Sequence, residues 1–215
     1  MKSDLDSDIE SCLAYAVLRD PDNWIGGPST QHLQEFWMGA FLRRDYVGPR
    51  IPDGRIFGVL NEPAFNKQFV DATRRPQLTI RWATAIAMTD LSLSAGFNKL
   101  KDAAFDWHRQ YGLTMVEPSG ESAVDTEGQF WESFANRPAL FMGNDTGWTL
   151  YCFLNGMKKG GDWLGLHSMP QLDEIVTGIA RRSERAYGSP FAAFRVYNAK
   201  GLLEWVGLPS PESAN

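Results

Sequence analysis

The three histidines and two cysteines are the side chains best suited to metal binding or nucleophilic catalysis. His32, His108 and His167 lie far apart along the chain, whereas metal ligands usually include pairs within about one helical turn of each other. Cys12 and Cys152 lie among aliphatic and aromatic neighbours, where burial would raise the thiol pKa and suppress the reactive thiolate. The pattern predicts structural thiols, no metal site and no cysteine nucleophile.

The motifs that mark several well-known active sites are missing from the sequence. There is no Gly-x-Ser-x-Gly pentad of a serine hydrolase, no Gly-x-Gly-x-x-Gly and no Walker phosphate loop. Residues 158–161, Lys-Lys-Gly-Gly, have their lysines before the glycines, which is typical of a helix end followed by a glycine stop. We therefore predict no cofactor and no enzymatic activity. The alternative is an enzyme whose dispersed site combines His108 or His167 with carboxylates in an aromatic-lined pocket.

Acidic residues form two clusters in a chain of net charge -5. One cluster is at the amino terminus, and the other spans residues 117–132 without a basic residue. Such a surface repels phosphates and attracts basic proteins, so we expect a protein partner and no direct nucleic-acid binding. The candidate partner-binding residues are the carboxylates and neighbouring aromatics of the second cluster: Glu117, Glu121, Asp125, Glu127, Phe130 and Trp131.

The composition is that of a folded protein, with 43% hydrophobic and 22% charged residues among 215. This length fits one core, so we predict a single globular domain over residues 1–215. Residues 1–8 alternate carboxylates where an export signal would have a basic start and an apolar run. No stretch reaches the roughly 20 apolar residues of a membrane span. We therefore expect a cytoplasmic protein without a membrane partner.

Helical periodicity dominates the chain and predicts a mainly α fold. Ser29 is the predicted N-cap of one helix, and Ser94 caps another that ends at Gly112. A short helix follows Glu62. The remaining predicted helices cover residues 7–18, 78–91, 129–135, 145–158 and 171–187.

Strands are predicted at two places. Residues 56–60 form a short apolar run in a turn-rich connection. Near the C-terminus, residues 191–197 and 202–206 alternate between apolar and polar positions like two strands joined by a turn. The sequence therefore predicts a small antiparallel β element beside the helices, which makes the fold class mainly α with an α+β character.

Residues 137–143, Arg-Pro-Ala-Leu-Phe-Met-Gly, are the most distinctive segment. The proline disfavours helix at the preceding arginine, and the glycine permits a sharp turn towards Asp145 as the next N-cap. We therefore predict a corner between two helices, with Leu140 and Phe141 anchored in the core.

The stretch from Phe130-Trp131-Glu132, through this corner, to a helix ending in Leu154-Asn155-Gly156 resembles small bacterial immunity proteins encoded beside polymorphic or secretion-delivered toxins. The resemblance implies a non-enzymatic binding protein that neutralises a cognate toxin by occluding it, and it carries over no catalytic residue. A nuclease toxin would present a basic cleft that suits the acidic cluster. A homo-oligomeric module that uses exposed aromatics is a further alternative.

Overall fold

The structure is a computed structural model, and it describes residues 9–47, 53–72, 92–112, 127–142, 144–166 and 168–208. Within these ranges the regular secondary structure is helical and no strand occurs. The predicted mainly α class is therefore confirmed for the described part of the chain. None of the helices found there is long and apolar enough to cross a membrane.

Contacts between Cα atoms divide the chain into two compact units. Unit 1 comprises residues 1–34 and 50–120, and unit 2 comprises residues 35–49 and 121–215. A single domain would require these two units to unfold together. The single-domain prediction stays a prediction.

Unit 1 contains several short helices and the longer helix α6. Helix α6 places Phe97, Leu100 and Ala104 in the core, because this spacing puts the three side chains on one face. The helix predicted over residues 78–91 lies outside the described residues. The helices of unit 1 are α1 (Leu13–Arg19), α2 (Pro21–Ile25), the start of α3 (Thr30–Val47), α4 (Asp53–Phe57) with a 3-10 turn (Gly58–Asn61), α5 (Pro63–Ala72) and α6 (Leu93–Tyr111).

Serine side chains begin two of these helices. The Ser29 hydroxyl accepts a hydrogen bond at 3.3 Å from the backbone N–H three residues later, which confirms the predicted cap of α3. Helix α6 is capped by Ser92, whose hydroxyl accepts from the backbone N–H of residue 95 at 3.2 Å. The prediction of Ser94 as the cap is wrong, because the extended backbone that a cap needs occurs at Ser92. Gly112, with φ of 73°, ends the helix as predicted.

Unit 2 continues α3 from residue 35 and contains the remaining helices. The predicted helices at 129–135 and 171–187 are confirmed as α7 and α11. The predicted stop at residues 158–161 is wrong, because the chain stays helical through a π-helical turn. The helices are α7 (Glu127–Asn136), α8 (Pro138–Met142), α9 (Gly147–Asn155) with the π turn (Gly156–Gly160), α10 (Gly161–Trp163), α11 (Pro170–Tyr187), α12 (Ala193–Val196) and α13 (Ala199–Trp205).

The strand predictions are wrong at residues 56–60, 191–197 and 202–206, all of which are helical or turn segments. The C-terminal segments form α12 and α13, where apolar neighbours such as Leu202 and Leu203 are buried together rather than on alternate faces. Asn198 starts α13, since its side chain accepts a hydrogen bond from the backbone N–H of residue 201 at 2.8 Å. In such short segments, the helical and alternating patterns of apolar residues are hard to tell apart.

The corner between helices that was predicted at residues 137–143 is only partly as expected. Arg137 lies outside both flanking helices, as predicted from the proline that follows it. Phe141 is half-buried and packs against the aromatic core. Leu140, however, is 74% exposed, so the prediction that it anchors the core is wrong. The N-cap of α9 is Thr146 and not Asp145, because the Thr146 side chain accepts from the N–H of residue 149.

Candidate functional site

The residues predicted to bind a partner divide into two groups. Glu117, Glu121 and Asp125 lie outside the described residues. Phe130 and Trp131 are each 1% exposed and belong to the core of unit 2. Helix α7 turns its apolar face inwards, and burial leaves neither ring accessible to a protein partner.

Glu127, the first residue of α7, joins two helices of unit 2. Its Oε1 atom accepts hydrogen bonds from the backbone N–H of Leu172 at 3.1 Å and from Nε1 of Trp131 at 3.3 Å. The first backbone N–H groups of a helix have no partner within the helix, and this carboxylate satisfies one at the start of α11. These contacts connect the start of α7 to the start of α11, and the prediction that Glu127 binds a partner stays a prediction.

A buried arginine and three carboxylates form a charge cluster in unit 2. Burial lowers the pKa of Arg43, whereas nearby Asp162, Glu127 and Asp173 favour its charged form. Lys158 forms an ion pair with Asp173 and lies 4.0 Å from Asp162. The two cations and three carboxylates leave the cluster with one net negative charge.

The histidines and cysteines give no reactive centre among the described residues. His108 is buried, its ring 5.2 Å from that of Tyr15, and His32 is half-buried, with its pKa lowered by burial. His167 lies outside the described residues. Within the described ranges, no three His, Cys, Asp or Glu side chains could together hold a metal ion. Burial raises the pKa of Cys12 to about 11 and also raises that of Cys152, so the prediction of buried structural thiols is confirmed.

Glu35 is a buried acid that the sequence reasoning missed. Its side chain is within unit 2, and burial raises its pKa to about 8. In the sequence, Glu35 is a single carboxylate beside the apolar positions of α3. If only one face of that helix is assumed to be buried, a carboxylate at this position is expected to face solvent. A buried carboxyl of this kind holds its proton near neutral pH.

Unit 2 exposes a group of large apolar side chains near its C-terminal helices. Tyr187, Phe191, Val196 and Tyr197 are 42%, 48%, 62% and 36% exposed. Half-buried Tyr151 of α9 contacts the ring of Phe191, and half-buried Trp148 stacks on Tyr151. We call these residues, together with exposed Arg195, the aromatic surface: Trp148, Tyr151, Tyr187, Phe191, Arg195, Val196 and Tyr197.

Ring contacts hold the side chains of the aromatic surface in place. Trp148 stacks on Tyr151 at 4.8 Å, and Tyr151 meets Phe191 edge to face at 5.6 Å. The guanidinium of Arg195 lies 5.7 Å from the Trp148 ring centroid. At the other side, the hydroxyl of Tyr187 donates to that of Tyr197 at 3.1 Å. Rings fixed in this way lose little conformational entropy when they bind a partner.

The backbone beneath the aromatic surface is also fixed by specific contacts. The buried Ser183 hydroxyl donates to the carbonyl of Ser189 at 2.5 Å and accepts from the N–H of Ala193 at 2.9 Å. Asp145 accepts from the Asn198 side chain at 3.0 Å and from the backbone N–H of residue 200 at 3.1 Å. These contacts hold the turn after α11 and the start of α13.

The aromatic surface was missed at the sequence level because its residues were assigned to strands. Strands would have placed alternate side chains on opposite faces, whereas in the structure Val196 and Tyr197, consecutive in sequence, are both exposed, and Tyr197 meets Tyr187. Comparisons of the chain with protein-family models, with curated proteins and with solved structures found no match. The chemistry of this surface is therefore the basis for a functional proposal.

Proposed function

We propose that the protein is a binding protein that acts through its aromatic surface, and that its partner is a bacterial toxin which it neutralises by occlusion. The exposed aromatic residues carry the binding part of this proposal. Tyrosine, phenylalanine, tryptophan and arginine are the residue types enriched where protein interfaces concentrate their binding energy. The choice of a toxin as partner rests on the resemblance of residues 130–156 to immunity proteins.

Two properties of the aromatic surface favour a protein partner. Single exposed apolar residues are common on soluble proteins, but several large ones in one region are typical of interaction sites. The hydroxyl groups of Tyr187 and Tyr197 can in addition hydrogen bond across an interface while their rings are buried. The surface thus combines apolar area with directional contacts.

The positions of the reactive side chains favour binding over catalysis. Among the described residues, Cys12, Cys152, His108 and Glu35 are buried. A nucleophile or general base must reach its substrate, which burial prevents. The exposed residues of unit 2 described above are instead suited to contact another protein.

The experiment is co-expression with the toxin encoded by the adjacent gene, followed by growth measurement and purification of the complex. We expect the wild-type chain to restore growth and to form a stable complex. The double variant Phe191→Ser with Val196→Ser should weaken binding at least about tenfold, because it removes exposed apolar contacts without opening the core. Absence of both rescue and complex for the wild type would contradict the proposed function.

A matched control is available on α6 of unit 1. Leu93 and Tyr111 are 48% and 59% exposed, similar to Phe191 and Val196. Leu93→Ser with Tyr111→Ser removes a comparable exposed apolar area and should leave binding unchanged. If both double variants bind like the wild type, the aromatic surface is not the interface.

A further inference from the structure

Ser183 places a hydroxyl in the otherwise aliphatic buried face of helix α11. That face is formed by Leu172, Ile175, Ile179 and Ser183, and the serine is fully buried. A hydroxyl that leaves water costs free energy unless it finds hydrogen-bond partners. Packing of α11 alone would be served by another aliphatic side chain, so the reason for a serine at this position lies in the groups that its hydroxyl binds.

The Ser183 hydroxyl connects the two ends of the turn that follows α11. It donates to the carbonyl of Ser189 at 2.5 Å and accepts from the backbone N–H of Ala193 at 2.9 Å. Between these two contacts the chain forms a turn, and Phe191 lies in the middle of it. One buried side chain therefore holds both ends of residues 189–193.

Phe191 depends on this backbone for its position. Its side chain is 48% exposed, and its ring meets that of Tyr151 edge to face at 5.6 Å. A ring that is half in water contributes only part of its apolar area to holding the chain in place. Helix α12, which follows the turn, has four residues, whereas an isolated helix needs roughly 12–15 to be stable in water. The turn and the start of α12 therefore require tertiary contacts.

The other end of α12 is held by a separate contact. The backbone N–H of Gly147 donates to the carbonyl of Tyr197 at 3.1 Å, and a Cβ atom on Gly147 would lie 2.4 Å from that oxygen. Phe194 of α12 belongs to the core of unit 2. Loss of the Ser183 hydroxyl should therefore loosen residues 189–193 while the end of α12 stays in place.

We propose that Ser183 is a positioning residue of the aromatic surface, whose buried hydroxyl holds Phe191 in the conformation that binds the protein partner. A turn that is already ordered loses less conformational entropy when a partner covers its exposed ring. Ser183 is itself buried, so it does not touch the partner and acts through Phe191. The inference rests on the proposed function, because it concerns the same surface.

The first measurement is backbone hydrogen exchange of the full chain, observed by NMR. The Ala193 N–H should be protected in the wild type, and Ser183→Ala should speed its exchange by at least about tenfold. The amides of α9 and of the first turns of α11 should stay protected, which also shows that the variant is folded. Rapid exchange of the Ala193 N–H in the wild type, or equal exchange in both proteins, would overturn the inference.

The second measurement is a double-mutant cycle on the affinity for the toxin encoded by the adjacent gene. Ser183→Ala alone should weaken binding about threefold to tenfold, the size expected when a short segment must be ordered on binding. In the Phe191→Ala background, the same change should alter the affinity less than about twofold, because no ring remains to be positioned. Equal weakening in both backgrounds would make Ser183 a residue of general stability and overturn the inference.

A matched control is Tyr15→Phe in unit 1. Tyr15 is also buried, and its hydroxyl donates to the carbonyl of Ala104 at 3.4 Å. This change, like Ser183→Ala, removes one buried hydroxyl and leaves the rest of the side chain intact. It should alter neither the toxin affinity nor the exchange of residues 189–193. If it weakens binding as much as Ser183→Ala does, the effect is a general loss of stability and the inference is wrong.

The exchange measurement needs no partner and so separates this inference from the proposed function. Protection of Ala193 that depends on Ser183, in a chain that does not bind the toxin, would retain Ser183 as the residue that positions Phe191 and remove the toxin as partner. Toxin binding that is weakened in the Phe191→Ser and Val196→Ser variant but unaffected by Ser183→Ala would retain the proposed function and remove Ser183 as a positioning residue.

Discussion

Glu35 is the titratable side chain with the clearest consequence for stability. Burial raises its pKa from the ordinary 4.5 to about 8. Between these values the folded protein keeps the proton that the unfolded chain has lost. The free energy of unfolding therefore falls as pH rises through this window, by at most about 1.4 kcal/mol per pH unit, and this contribution becomes constant above the folded pKa.

Replacing Glu35 by Gln should remove this pH dependence, because the amide cannot ionise. We expect Glu35→Gln to be more stable than the wild type at the alkaline end of the window and closest to it at the acidic end. Urea unfolding across the window measures the difference, with Glu132→Gln on the exposed side of α7 as the control. Parallel pH profiles for the wild type and Glu35→Gln would contradict the burial of this carboxyl.

At the scale of single residues, local chemistry was predictable, whereas the burial of aromatic and acidic side chains was not. Ser29 was identifiable as a cap because a hydroxyl before an apolar helical pattern can accept a hydrogen bond from the backbone. Phe130 and Trp131 were placed at an interface because they follow an acidic run, but their surroundings are the core. Whether an aromatic ring is exposed depends on what packs over it, which neighbours in sequence do not specify.

At the scale of elements, α3 meets the end of α9 and its π turn through glycines. A Cβ atom on Gly39 would lie 2.1 Å from the carbonyl oxygen of Phe153, and one on Gly156 would lie 1.9 Å from that of Phe36. All four residues belong to unit 2. The two backbones are in direct contact, and only glycine fits at these positions.

Gly39→Ala and Gly156→Ala should each destabilise the protein by about 3 kcal/mol or more, since the obstructing atoms are backbone and cannot rotate away. Gly128→Ala on α7 is the control, because a Cβ there meets nothing within 4 Å. Because Gly128 is the second residue of α7, removing that glycine should stabilise the protein by less than the roughly 0.5–1 kcal/mol of a helix interior. Chemical denaturation measures the free energies of unfolding of the three variants. Equal stabilities for Gly39→Ala and Gly128→Ala would disprove the close backbone contact between α3 and the end of α9.

The predictability of elements follows their length. Helix α11 was predicted within one residue of its observed start, because five turns of apolar spacing define a period. Helices α12 and α13 have four and seven residues, and the same apolar residues were interpreted as strands. The π turn was missed for a different reason, since no local pattern predicted it, and Gly156 within it is in backbone contact with α3.

At the scale of the whole molecule, the single-domain prediction concerns how the two units unfold. Phe97 is buried in unit 1 and Phe153 is buried in unit 2. If the chain is one cooperative domain, Phe97→Ala and Phe153→Ala should each shift one common thermal transition downwards by roughly 10 °C. The measurement is scanning calorimetry, together with thermal unfolding followed by a secondary-structure signal and by tryptophan fluorescence. Separate transitions, each moved by only one of the variants, would contradict a single domain.

The sequence by itself determined the mainly helical class, the longer helices of the described residues and the raised thiol pKa of the two cysteines. These properties depend on periodicity and on the immediate neighbours of each residue, which are local quantities. The tertiary structure alone decided that Phe130 and Trp131 are core, that Glu35 is buried, and that exposed Tyr187 meets Tyr197 while exposed Phe191 meets Tyr151. Which residues are buried and which are exposed is set by contacts between residues distant in sequence, because packing fixes which faces of the helices remain in water.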